Sequence, residues 1–312
     1  MTRVAVVDIG TNSTRLLIAD VDPAGAVAEL VRRSTVTRLG ERVDTSGSLS
    51  AQAIDRTCAA LREYRRLIDA HDCAANLAVL TSAVRDAANG ADFTERVRRD
   101  YRLDARALSG DEEAQLTFLG AMSDREPDTE PTVVIDIGGG STEFVVGHDH
   151  TAGFHASLQA GVVRMSERHI HTDPPAPAEL QSLAHDTRAV FLAGLPPERR
   201  GGGGAPITRG IAVAGTATSA ASIDQELDPY DPTRVHGYPL MLATVELLLA
   251  RLADMDEAQR RRIVGLHPDR APTIVAGMIL LGEAMRAFEL DEVEVSEHDI
   301  LVGGALRLAG AG

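Results

Sequence analysis

The chain has 312 residues, 44% hydrophobic and 3% aromatic, with a formal net charge of -15 at pH 7. That length suits about two domains with real cores, and the negative charge excludes a general nucleic-acid surface, which needs a basic stripe. All 31 basic side chains are arginine, so Schiff-base lysine chemistry and the P-loop lysine are excluded together, and bound phosphate must be met by arginine forks and backbone amides.

In chain order, RVAVVDIG and RLLIADVD read as strands around a TNST turn, and AVAELVRRS continues as a third strand. SAQAIDRTCAALREYRRLIDA has helical periodicity after a Ser cap. Cys58 falls with Ile54 and Leu61 on one face of that helix and reads as a small buried hydrophobe; neither it nor Cys73 has metal-type spacing. NLAVLTSAVRDAANG reads as a buried strand entering a helix, DARALS as a strand, and DEEAQLTFLGAMS as a helix with acids in its first turn. SDREPDTEP is expected to be a linker. Beyond it the pattern restarts with TVVIDIGGG, STEFVVG and TAGFHASLQ, then helices near 162–171 and 176–194, the strand IAVAG and a helix from TATSAAS. GGGG at 201–204 suits a flexible surface loop. The histidines of HDH (148–150) and HIH (169–171) are expected to be solvated, and no zinc site is expected. No apolar run approaches the roughly 20 residues of a membrane span, and MTRVAVVDIG lacks a signal-peptide layout. The cytoplasm is the expected location, with no membrane partner.

An internal repeat organises the chain: DIGTNSTRLLI lies on DIGGGSTEFVV with Asp8 over Asp136. In each half a strand delivers an Asp, a tight turn follows and a second strand leaves, so the amides around Thr11, Asn12 and Ser13, and around Gly138, Gly139, Gly140, Ser141 and Thr142, can converge on an anion. Glycine allows close approach of the main chain. Where the first hairpin carries Arg15 the second carries Glu143, so one turn suits anions and the other cations or proton transfer. Arg15 can contact phosphate or pair with a carboxylate across the hairpin. A third turn, Gly215 to Ser219, again follows a strand and opens a helix; Gly215, Thr216 and Ser219 form a phosphate site at the helix start, or Thr216 simply caps it.

DIGTNSTRLLI, TSAVRDAAN, SGDEEA, DIGGGSTEF, GTATSAAS and VHGYPL, in this order, resemble the exopolyphosphatase/guanosine-pentaphosphate phosphatase (Ppx/GppA) family of the actin, sugar-kinase and heat-shock-chaperone ATPase superfamily. The resemblance implies an α/β fold of two actin-like (ribonuclease-H-like) domains, with mixed sheets flanked by helices and the active site in the interdomain cleft. The domains are expected at 1–125 and 126–312, with a C-terminal helix at about 297–312 able to pack back onto the first. It also implies the short form, without a C-terminal HD-type domain. Carried over onto matching positions, the catalytic acid is Glu113 and the phosphate-gripping arginine is Arg85. Their competing readings are a solvated acid at a helix start and a solvated helical arginine. Asp8, Asp136 and Glu143 are hard oxygen donors suited to Mg²⁺ or another divalent cation, and Asp136 and Glu143 join Glu113 as catalytic candidates. The competing reading of the two aspartates is a turn cap. The expected activity is removal of terminal phosphates from inorganic polyphosphate; the alternatives are a guanosine pentaphosphate phosphohydrolase and a non-catalytic sensor of polyphosphate or guanosine alarmones. A homodimer is implied by the family. His236 in VHGYPL matches a family stretch without a derivable role, and SEHDILVGGALRLAGAG lacks the Arg-Glu pair usual in the last helix.

Overall fold

The structure, a computed structural model, describes residues 1–126, 129–148, 151–199 and 207–310. The glycine run at 201–204 and two of the HDH residues therefore lie outside the described residues. Two compact units are present, Met1–Arg125 with His298–Gly312, and Glu126–Glu297.

The first unit opens with β1 (Thr2–Ile9), β2 (Ser13–Val21) and β3 (Val27–Val36), an antiparallel meander. After α1 (Val43–Ser46), the long α2 (Ala51–Ala70) starts at Ser50, whose side chain accepts the Ala53 amide at 3.2 Å. Then come β4 (Ala75–Leu80), α3 (Ser82–Asp86), α4 (Gly90–Tyr101), β5 (Ala105–Ala107) and α5 (Gly110–Ala121). The sheet order is β3-β2-β1-β4-β5, with β4 parallel to β1 and β5 parallel to β4. Both faces are apolar, as strands covered on two sides must be. Ala5, Val7 and Ile9 face a core with Leu61, Ile68 and Phe93, while Val4 and Val6 face the opposite one.

The second unit repeats the plan. Strands β6 (Thr132–Ile137), β7 (Thr142–His148) and β8 (Thr151–Leu158) form the meander, followed by α6 (Val162–His169), α7 (Pro177–Gly194), β9 (Arg209–Val213) and α8 (Ala214–Asp224). Beyond these lie α9 (Pro232–Val235), β10 (Tyr238–Met241), α10 (Leu242–Ala253), α11 (Glu257–Arg260), α12 (Ile274–Ala287) and β11 (Glu292–Val295). The order β10-β11-β9-β6-β7-β8 places β8-β7-β6-β9-β11 on the first sheet's β3-β2-β1-β4-β5, strand for strand. One core fills the unit, and α12 is buried from Ile274 to Met285. The last helix, α13 (Ile300–Ala309), returns to the first unit, where Leu301, Val302, Ala305 and Leu306 cover Val4, Val6 and Leu17. Among the described residues no helix is long and apolar enough to cross a membrane.

Candidate active site

Parallel strands β1, β4 and β5 end at one edge of the first sheet, with Ile9 beside Leu80 and Leu80 beside Ala107. The carboxyl edge of parallel strands is where open α/β sheets receive ligands. Three connections meet there: the 10–13 turn, the Thr81–Ser82 entry to α3, and the start of α5. In the first turn the Gly10 amide donates to Ser13 O at 3.0 Å, while Thr11 O accepts from Gly40 and Asn12 O from Thr37 and Arg38. N–H and C=O point opposite ways across a trans peptide, so the Asn12 and Ser13 amides are turned away from the 37–40 loop. The Thr11 hydroxyl is buried against Ser82 Oγ at 2.9 Å. This turn therefore presents main chain, not the Thr11 side chain, to an anion.

Asp8 sits opposite Arg15 in the β1–β2 register. Arg15 places Nε (2.9 Å) and one terminal nitrogen (2.7 Å) on Asp8 Oδ2 and donates its other terminal nitrogen to Asp299. The cross-hairpin alternative thus describes Arg15: its guanidinium is committed to two carboxylates and clamps Asp8. Buried Asp8 Oδ1 has no hydrogen-bond partner among the described residues. Burial pushes the Asp8 pKa up, against the pull of Arg15. Burial acts the same way on Asp299, but Arg15, Arg32 and the Leu301 amide outweigh it and hold that carboxylate down.

Glu113 lies in the first turn of α5, yet it is not a solvated helix-start acid. The capping is done by its neighbour, since the Glu112 carboxylate accepts the Ser109 amide at 2.9 Å and Ser109 Oγ accepts the Glu112 amide at 3.2 Å. Glu113 turns inward to 7% exposure. There Oε2 accepts a 3.0 Å bond from Arg85 of α3, and the same arginine nitrogen donates to Leu108 O at 2.9 Å. Arg85 is accordingly not a solvated helical arginine, and its Nε and second terminal nitrogen remain for another anion. Asn89 ties the neighbouring loop in place through Leu49, accepting its amide at 2.8 Å and donating to its carbonyl at 3.0 Å.

In the second unit the turn after β6 is organised by α6. The carbonyls of Gly138 and Gly139 accept the amides of Val162, Val163 and Arg164, and Gly140 O accepts Arg164 Nε at 2.8 Å. With three successive carbonyls drawn toward α6, the amides of Gly139, Gly140 and Ser141 face away from it, as an anion nest requires. A methyl at Gly161 would lie 2.5 Å from the Gly139 and Gly140 backbone. Gly161→Ala should therefore lower unfolding stability by about 1–3 kcal/mol and weaken phosphate binding, measured by thermal unfolding and by steady-state phosphate release.

Asp136 faces Glu143 across β6–β7, the register position that holds Asp8 and Arg15 in the first hairpin. Two acids opposed across a hairpin repel, and both are buried, Asp136 to 7% and Glu143 to 1% exposure. Glu143 Oε1 accepts Ser141 Oγ at 2.6 Å and Ser157 Oγ at 2.8 Å. A divalent cation fits this donor set, as it fits the orphaned oxygen of Asp8. The Ser141 hydroxyl thus serves Glu143, and the Thr142 hydroxyl donates to Ala160 O at 2.5 Å, leaving the main chain of residues 139–141 as the part suited to an anion.

The third turn follows β9. The N-cap of α8 is Val213, which supplies no side-chain cap, so the capping alternative for Thr216 does not hold. Ala214 adopts a left-handed φ of 62°, strain of the kind that collects at functional turns. The buried Ser219 hydroxyl donates back to Gly215 O at 2.6 Å and is structural. Gly215 has the Arg270 guanidinium packed on it, at 1.5 Å from where a side chain would begin. His169 is not solvated: Nε2 lies 3.0 Å from Asp186 and Nδ1 3.1 Å from Ser182, which fastens α6 to α7. His236 Nδ1 accepts the Glu297 amide at 3.2 Å, a structural bond.

Sequence reasoning missed Ser157, Asp299 and Arg270. Ser157 is opposite Glu143 in the β7–β8 register, which strand alternation could have found. Asp299 and Arg270 reach their partners from distant segments, and no local pattern marks them.

A sequence profile described as the Ppx/GppA phosphatase family matches residues 17–306. Exopolyphosphatase 2 of Mycobacterium tuberculosis is 37% identical over 99% of this chain and 99% of its own. Among solved structures, an exopolyphosphatase-like protein is similar with a TM-score of 0.90, 32% identity and coverage of 98% of this chain and 97% of that one. A Ppx/GppA family member from Aquifex aeolicus is similar with a TM-score of 0.81, 28% identity and coverage of 99% and 97%.

Proposed function

The chain belongs to the Ppx/GppA phosphatase family, and on that footing we propose that it is an exopolyphosphatase, a hydrolase that removes terminal phosphates from linear inorganic polyphosphate. The observation that carries the reading is the buried Glu113 carboxylate held at 3.0 Å by Arg85, at the strand edge that also carries the first phosphate turn.

Phosphoryl transfer to water needs an oriented, deprotonated nucleophile and positive charge on the non-bridging oxygens. Glu113 Oε1 or Oε2 accepts a proton from water, whose oxygen bonds to the terminal phosphorus as the bridging P–O bond breaks. The products are orthophosphate and a chain one phosphate shorter. Arg85 turns its remaining nitrogens to the non-bridging oxygens, while the amides of Asn12 and Ser13, those of Gly139 to Ser141, and the start of α8 at Gly215 and Thr216 hold phosphates along the chain. We assign Asp8, Asp136 and Glu143 to a divalent cation, proposed to be Mg²⁺. When bound it neutralises phosphate oxygens and polarises the phosphorus under attack.

The relatives named above give no support to guanosine pentaphosphate as the preferred substrate. Aromatic content of 3% also suits a phosphate chain better than a nucleobase. A cytoplasmic homodimer completes the proposal, following the sequence reading.

The test is phosphate release from polyphosphate without ATP, before and after chelation. Activity should fall at least tenfold in EDTA and return with Mg²⁺, and release from guanosine pentaphosphate should be slower. Full activity in EDTA would remove the cation assignment, and activity confined to pentaphosphate would remove the substrate.

A further inference from the structure

Beside the first turn lies a cation that this scheme does not use. Arg38 belongs to the 37–40 loop, and its own amide donates to Asn12 O at 2.8 Å. It holds a left-handed φ of 48°, a conformation that side chains other than Gly, Asn and Asp disfavour. The loop is nonetheless pinned: Arg56 Nε donates to Thr37 O at 2.8 Å, and its NH2 donates to Arg38 O at 3.3 Å and to Glu41 at 2.8 Å.

Arg38 is half-buried as a residue, and its guanidinium has no hydrogen bond or ion pair among the described residues. Every other half-buried arginine of this unit is engaged. Arg3, Arg15, Arg32, Arg65, Arg85 and Arg96 each reach a carboxylate, and Arg125 reaches the Ala121 carbonyl. A half-buried arginine with an unengaged guanidinium, on a strained backbone fastened to a turn whose amides suit an anion, has the features of a group kept for a ligand.

We propose that Arg38 is a further substrate contact, binding a phosphate of the polyphosphate chain other than the one under attack. The inference rests on the exopolyphosphatase reading. No hydrogen bond or ion pair links Arg38 to Glu113 or Arg85, so on this proposal its attraction is present equally in the ground and transition states.

The test compares Arg38→Gly and Arg38→Lys with the wild type, using polyphosphate of defined length at several salt concentrations. Arg38→Gly should raise KM about tenfold with kcat within about twofold. It should leave the unfolding midpoint unchanged or higher, because glycine accepts this φ without strain, and it should flatten the salt dependence of KM. Arg38→Lys should recover part of the KM. An unchanged KM in both variants with an active wild type overturns this inference alone. A drop in unfolding midpoint together with loss of kcat makes Arg38 structural and also overturns it. A wild type that releases no phosphate from polyphosphate overturns the reading beneath it, and this inference with it.

Discussion

Replacing Glu113 by Gln is expected to lower kcat on polyphosphate by about 10²–10⁴-fold, the usual contribution of a positioned general base, with KM within a few fold. Gln keeps the size of the side chain and an oxygen for the 3.0 Å bond from Arg85, but it cannot take a proton from water. The stability of α5 should be preserved, because its capping box is built from Ser109 and Glu112. Steady-state phosphate release beside thermal unfolding separates the possibilities. A capping acid would lose stability and keep turnover, and a non-catalytic sensor would lose neither.

Arg85→Met should lower kcat/KM by about 10²–10³-fold, from charge-assisted hydrogen bonds to phosphate worth about 1.5–3 kcal/mol each. The same change deprives buried Glu113 of its cation and frees Leu108 O, so part of the loss comes through the base. Arg85→Lys should restore only a fraction, since an ammonium cannot reach Glu113, Leu108 O and a phosphate with one planar fork. Because one ion pair links the two groups, Glu113→Gln and Arg85→Met should be non-additive in kcat/KM. The double variant is expected to lose clearly less than the product of the single losses; a simple product would show that the two groups act independently.

The hairpin repeat was legible in the sequence because turn chemistry and strand alternation are local. Placing Asp8 over Asp136 anticipates the observed registers, Asp8 with Arg15 and Asp136 with Glu143. Glu113 was nearly legible by the same logic. Ser109 and Glu112 have capping-box spacing, which uses Glu112 and leaves the next acid free to turn inward, yet the catalytic role proposed for it came only through the family resemblance. What Arg15 does could not be decided locally, since its second partner, Asp299, is 284 residues away. Beyond VHGYPL, no element from α10 to β11 was read from the sequence, and for α12 the reason is physical: it is buried from Ile274 to Met285, so IVAGMILLGEAMRA lacks the polar face that marks an amphipathic helix. Ser141, Thr142 and Ser219 were expected to contact phosphate from their place in the turns. In the fold their hydroxyls are bonded to Glu143, Ala160 O and Gly215 O, and their main chains remain the part suited to anions.

Hydrolysis of polyphosphate of defined length in ¹⁸O-labelled water, with Mg²⁺ and no nucleotide, tests the role of water most directly. One labelled oxygen per released orthophosphate, with none in the shortened chain, is the predicted result. Label in the shortened chain, or phosphate leaving only when ADP is supplied to receive it, would contradict attack by a Glu113-activated water on the terminal phosphorus.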